Sequence, residues 1–209
     1  LQRANKQYGK AVTKEDIFYY VYALLQSPDY IKTFANDLKK MLPRIPLVDE
    51  PRDFWKFSKA GKALADLHIN YEEVPPAKGV IVMYGKIPKD SIQEAMDSNN
   101  LDAINYKVSK MKFPKKDQKE TIIYNSQITI NNIPEKAYEY VVNGKSAIDW
   151  ILERYQVNTD KKSGITNNPN DWADEVGNPT YILDLLLSVI NVSVQTVDIV
   201  NDLPKLKFD

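Results

Sequence analysis

The chain contains no cysteine, which excludes disulfides, thiolate metal sites and thiol nucleophiles. It has one histidine, His68. A serine–histidine–acid triad would have to use it, and no Gly-x-Ser-x-Gly elbow occurs. His68 falls on the inner side of a helical pattern. With no second histidine to share a metal, it reads as a core or hydrogen-bonded residue. The seven glycines are scattered and form no phosphate loop. Charge of one sign is missing too: 28 basic and 28 acidic residues cancel. That balance argues against a purely electrostatic nucleic-acid binder, but the distribution of charge decides the matter. No window approaches eighteen consecutive apolar residues, so no membrane span is predicted. Leu1-Gln2-Arg3-Ala4-Asn5-Lys6 has no apolar core of a signal peptide. Because the first residue is not Met, the sequence reads as a fragment of a longer chain or a processed product. A cytoplasmic location fits the cysteine-free composition.

What is present is a globular composition, 43% hydrophobic and 27% charged, over 209 residues. That length suits one large domain or two small ones. Thr13-Lys14-Glu15-Asp16 resembles a capping box. Ile17, Tyr20, Val21, Leu24 and Leu25 then follow the spacing of a helix with one buried face. Ser27-Pro28 restarts a helix, with Ile31, Phe34, Leu38, Met41 and Leu42 as its stripe. Pro43 and Pro46 end it and hold Arg44–Leu47 extended. Asp53 reads as the cap of a third helix, with Phe54, Phe57, Gly61, Leu64, His68 and Tyr71 on one side.

The middle of the chain changes character. Gly79–Tyr84 is a strand pattern. Tyr106–Phe113 is another, with a slip in its alternation at Ser109-Lys110 that suggests a bulge or an edge. Thr121–Ile130 reads as a hairpin turning at Asn125-Ser126, with Ile122, Tyr124, Ile128 and Ile130 apolar. Pro134 opens a short helix carrying Ala137, Tyr138 and Val141, Asn143-Gly144 is a turn, and Ser146 caps a helix with Ile148, Ile151, Leu152 and Tyr155. Val157–Trp172 is polar and turn-rich, with Lys161-Lys162-Ser163-Gly164 and Asn167-Asn168-Pro169-Asn170. A final helix starts after Asn178-Pro179 and runs from Tyr181 to about Leu203. Its β-branched run Val189–Val194 is a place of expected interruption. Trp55, Trp150 and Trp172 read as core or junction anchors. The fold class is α+β: N-terminal helices, a central mainly antiparallel sheet, then C-terminal helices.

Two catalytic patterns dissolve on inspection. Pro28-Asp29 with Asp37-Leu38-Lys39 spells a metal-nuclease pattern, but those carboxylates need neighbouring strands. Here they fall on one predicted helix, about 12 Å apart along its axis. Asn168-Pro169-Asn170 lacks the aromatic that an adenine methyltransferase stacks on its flipped base. The positive signal is local. Lys107, Lys110, Lys112, Lys115, Lys116 and Lys119 stand against the single acid Asp117 between positions 107 and 119. Such a run can meet successive phosphates and release counterions. Ser109, Gln118, Tyr124, Asn125 and Gln127 lie nearby in sequence with groups able to read base edges.

The order of segments carries a resemblance. Leu42-Pro43-Arg44-Ile45-Pro46 precedes Asp53-Phe54-Trp55 and Leu64-Ala65-Asp66-Leu67-His68. Tyr106-Lys107-Val108, Lys110-Met111-Lys112-Phe113 and Thr121-Ile122-Ile123-Tyr124-Asn125 follow. Then come Tyr138-Glu139-Tyr140-Val141-Val142-Asn143-Gly144-Lys145-Ser146-Ala147, Arg154-Tyr155-Gln156-Val157 and Asn168-Pro169-Asn170-Asp171-Trp172. Together they resemble the C-terminal specificity domain of Type ISP restriction-modification enzymes, over about Asp16–Pro204. The resemblance implies a polypeptide holding a nuclease, an ATP-driven translocase, an adenine methyltransferase and this recognition domain. It implies that S-adenosylmethionine, ATP and magnesium serve the other parts, with no cofactor, metal or catalytic residue in this one. Within one continuous domain, positions 1–73 are then expected to dock on the preceding methyltransferase, and 74–209 to recognise double-stranded DNA and present its adenine. The DNA contacts expected are Lys107, Ser109, Lys110, Lys112, Lys115, Lys116, Lys119, Tyr124, Asn125 and Gln127, with Arg44 and Lys145 as secondary ones. The rival reading is a protein-interaction module coupling methyltransferase and motor without touching DNA.

Overall fold

Thr13 accepts a hydrogen bond from the Asp16 amide while the Asp16 carboxylate takes the Thr13 amide, closing the predicted capping box. This fixes the start of α2 (Lys14–Gln26), which follows α1 (Gln2–Tyr8) and precedes α3 (Pro28–Thr33) and α4 (Pro51–Ile69). The structure, a computed structural model, describes residues 1–9, 11–85, 104–207 and the backbone of 87–88. The chain divides into two units, Leu1–Tyr71 with Gln195–Asp209, and Glu72–Val194. The sequence places a boundary at 73/74 and leaves the tail with the second part.

In the first unit Tyr20, Leu24, Phe54, Phe57 and Leu64 are fully buried together. Gly61 lets α4 touch α2: a Cβ there would lie 1.8 Å from the Tyr19 carbonyl oxygen. The extended stretch after Pro43 is held by buried tyrosines. Tyr30 donates to the Arg44 carbonyl (2.6 Å), Tyr20 to that of Pro46 (2.7 Å) and Tyr8 to that of Val48. Each hydroxyl thus satisfies a backbone group and its own burial at once. His68 sits between the hydroxyls of Tyr22 (2.7 Å to Nδ1) and Thr196 (2.8 Å to Nε2). A neutral ring satisfies both, one nitrogen donating and one accepting. Burial lowers the His68 pKa.

Two helix boundaries differ from the sequence reading. Glu50, with Pro51 in the first turn, precedes α4, so Asp53 lies inside that turn and is not the cap. Helix α3 stops at Thr33, and only turns follow to Lys40. Asn36 and Asp37, whose side chains compete for backbone hydrogen bonds, fall there. The predicted stripe therefore splits: Phe34 and Leu38 pack on the core, while Met41 and Leu42 are 51% and 87% exposed.

The second unit is built on an antiparallel sheet of order β2-β1-β4-β3, comprising β1 (Ile81–Tyr84), β2 (Ile87–Pro88), β3 (Ile122–Ile123) and β4 (Ile128–Asn131). Ile122 faces Ile130, and Tyr84 faces Ile128. Ile122, Tyr124, Ile128 and Ile130 are fully buried, as the hairpin pattern predicts. They share a core with Ile148 and Leu152 of α5 (Ala147–Arg154) and Ile182, Leu186 and Ile190 of α7 (Tyr181–Asn201). The Pro134 segment is a 3-10 turn, Glu135–Tyr138. Val141 leaves it for a hairpin of β5 (Val141–Val142) and β6 (Lys145–Ser146), and is 56% exposed. Asn143 and Gly144 at its tip have φ of 49° and 84°, the positive pair a two-residue hairpin turn requires. A second small hairpin joins β7 (Asn158–Thr159) to β8 (Thr166–Asn167), followed by α6 (Asn170–Glu175).

Helix α7 runs unbroken through Val189–Val194. Val189, Ile190 and Val192 are buried, and their packing outweighs the β-branched penalty. This helix is long and apolar enough to cross a membrane, but 67% of its apolar window is buried inside the protein, as in a core helix. Trp55 and Trp172 are 36% and 51% exposed, so of the two expected roles, core or junction anchor, neither fills the core one. The architecture is α+β.

Candidate nucleic-acid interface

The segment Tyr106–Phe113 is extended but is not a ladder strand; one bridge, Lys112 to Ile123, ties it to β3. Side chains supply most of the other partners of its backbone. Tyr124 donates to the Tyr106 carbonyl (2.7 Å) and Asn125 to that of Lys107 (3.1 Å). The Asn170 amide grips Val108 on both sides, accepting from its N–H (2.9 Å) and donating to its carbonyl (2.8 Å). Ser109 accepts at its carbonyl from the Val157 N–H (2.9 Å). A buried backbone must be paired, and these groups stand in for a neighbouring strand.

Val108 and Met111 are buried and Tyr106 and Phe113 pack on the same core, while Lys107, Ser109, Lys110 and Lys112 are exposed. Two consecutive residues, Ser109 and Lys110, face outward at a bend, which is the slip visible in the sequence. The segment thus presents cations outward from an apolar underside. Lys115 and Lys116 continue the exposed face in the following loop.

The six lysines are not equivalent. Among the described residues Lys110, Lys112, Lys115 and Lys116 have no acidic partner. Lys107 pairs with Asp174 at 2.7 Å, both well exposed. Such a pair contributes under about 1 kcal/mol, so the ammonium can exchange Asp174 for a phosphate. Lys119 lies over the rings of Tyr138 (4.9 Å) and Phe113 (5.6 Å) and 3.6 Å from Asp149. Its stem and charge are spent on packing. Lys145 is engaged likewise: it bonds Glu153 and covers Trp150 at 4.9 Å. That hydrogen bond from Lys145 lowers the Glu153 pKa.

The expected base readers also separate. Tyr124 is fully buried and its hydroxyl is bound to Tyr106, so it is a core residue and not a surface contact. Burial pushes its phenol pKa up. Asn125 uses its whole amide internally. Its Nδ2 donates to the carbonyls of Asn105 and Lys107, and its Oδ1 accepts from the amides of Gln127 and Ile128. It shapes the turn and has no capacity left for a base. Gln127 is exposed; its Oε1 accepts from the Asn105 amide (2.8 Å), and its Nε2 has no partner among the described residues. Ser109 is exposed. Arg44 is exposed but belongs to the first unit.

Asn170, named in the sequence only as part of turn, methyltransferase-like and family patterns, is the clamp of this segment. Nothing in the local sequence signals a partner 62 residues away.

The segment and the adjoining turn thus hold several cations and the Gln127 side chain outward. The chain belongs to the family of Type ISP C-terminal specificity domains, whose profile matches residues 1–185. It is similar to several solved structures, among them these three. One is a nuclease-deletion mutant of the Type ISP restriction-modification enzyme LlaGI in complex with a DNA substrate mimic (48% identity, TM-score 0.79, 95% of this chain and 17% of that one). The second is the ATP-dependent Type ISP enzyme LlaBIII bound to DNA (47%, TM-score 0.81, 100% and 12%). The third is a DrdV–DNA complex (30%, TM-score 0.74, 97% and 19%). The chain therefore spans less than a fifth of each of these proteins. A comparison with curated proteins gives no match.

Proposed function

We propose that this chain is the DNA target-recognition domain of a Type ISP restriction-modification polypeptide. It binds double-stranded DNA sequence-specifically, presents the target adenine to the methyltransferase and so licenses translocation and cleavage. The family membership over residues 1–185 carries this reading, supported by relatives of nearly half-identical sequence that are bound to DNA. Catalysis, with S-adenosylmethionine, ATP and magnesium, belongs in this reading to the remainder of the polypeptide. The exposed apolar residues Ile31, Met41 and Leu42 of the first unit would then face the methyltransferase.

Lys110, Lys112, Lys115 and Lys116 position the phosphate backbone, and Lys107 joins them by leaving Asp174. Gln127 and Ser109 stand beside them for base contact. The test is duplex binding by fluorescence anisotropy across a salt series. A log–log salt slope of several units supports the reading, because each neutralised phosphate contributes about 0.9. A flat slope with no measurable binding would overturn it and favour a protein-interaction module.

A further inference from the structure

The hairpin β7–β8 has no core of its own. Asn158, Thr159, Thr166 and Asn167 are all exposed. A free two-stranded hairpin is marginal in water, so its order must come from local bonds. Asp160 supplies them: its Oδ1 accepts from the amides of Lys162 (3.0 Å) and Ser163 (2.7 Å) and from the Ser163 hydroxyl (2.8 Å). Those bonds, the Ser163 amide first, lower its pKa. The ribbon is also rooted at both ends on the lysine segment. Val157, just before β7, bonds to Ser109, and Asn170, just after β8, clamps Val108.

The two cross-strand pairs differ. Thr159 and Thr166 spend their hydroxyls on each other at 2.8 Å. Asn158 and Asn167 face one another in register, and neither amide has a partner among the described residues. At the tip, Lys161 and Lys162 have no acidic partner among the described residues, and Ile165 is 69% exposed.

We propose that this ribbon enters the major groove of the target DNA, with Asn158 and Asn167 reading bases and Lys161 and Lys162 holding flanking phosphates. The inference rests on the DNA-recognition reading above. The B-DNA major groove is about 12 Å wide and about 8.5 Å deep and admits a two-stranded ribbon. An asparagine amide matches the N6 and N7 edge of adenine bidentately, and Ile165 offers an apolar contact to a thymine methyl. Rooting on Val108 and Ser109 places the ribbon beside the lysines that grip the backbone.

The experiment selects bound sequences from a random duplex library with the 209-residue chain. It is repeated with N158A, N167A, T159V/T166V and K161A/K162A. The expected result is a defined wild-type site, with N158A and N167A each losing about tenfold or more of the preference at one base pair. T159V/T166V should keep the wild-type preference. K161A/K162A should keep the site but reduce the salt slope by about 2. A wild-type site that N158A and N167A both retain in full would overturn the ribbon and leave DNA recognition standing. A wild-type chain that selects no sequence would overturn the recognition reading itself, and the ribbon with it.

Discussion

Asn170 shows how one side chain can replace a strand. It is buried, and its amide satisfies both backbone groups of Val108. Asn170→Ala strands an N–H and a C=O, which should cost about 2–4 kcal/mol in urea unfolding. Gly61→Ala should cost about 3 kcal/mol in the same measurement, because its methyl group meets backbone and not a movable side chain. His68 makes stability depend on pH. Its folded pKa is depressed below the unfolded value of 6.5, so the unfolded chain binds the proton more readily. The stability it contributes is full above about pH 6.5 and is lost as pH falls through the folded pKa. Unfolding midpoints measured from pH 8 to 5 should fall for the wild type and fall less for His68→Gln. At this scale the sequence was legible where partners are neighbours, as in the Thr13–Asp16 box. It was not legible where they are distant: Asn125 looked like a base reader, yet its amide is closed by Asn105, Lys107, Gln127 and Ile128.

Among elements, the lysine segment and the hairpin beneath it behave oppositely. The β3–β4 hairpin was readable because its apolar alternation has one buried answer. Tyr106–Phe113 has a similar alternation, slipped at Ser109-Lys110, but pairs mostly with side chains, so a strand was expected where one bridge exists. The β7–β8 ribbon left turn signals but no strand pattern, since strands of two exposed residues have no apolar face. The segment's lysines should divide by function accordingly. Replacing Lys110, Lys112, Lys115 and Lys116 by Ala should weaken all duplexes alike and flatten the salt slope by about 3–4, with little change in stability. Lys119→Ala should change the salt slope little and lower the melting temperature, because it removes contacts with Tyr138 and Phe113. Equal effects from both sets would show that the separation by packing is wrong.

For the molecule as a whole, composition excluded more than it assigned. The missing thiols exclude thiol nucleophiles and thiolate metal sites, and zero net charge hid a cationic segment by averaging it away. Fold class followed from periodicity. The tail's place in the first unit did not, because it depends on Thr196 meeting His68, Leu203 entering that core and the Leu206 amide bonding Asp29. The DNA-recognition proposal rests on family membership, and the exposed lysines and Gln127 are its proposed means of contact. The central claim, that this chain chooses the DNA sequence, is tested most directly by exchange. Replacing the matching segment of LlaGI with this chain and mapping the modified sites should yield a new sequence, distinct from that of LlaGI. An active chimera that still modifies the LlaGI sequence would contradict the account.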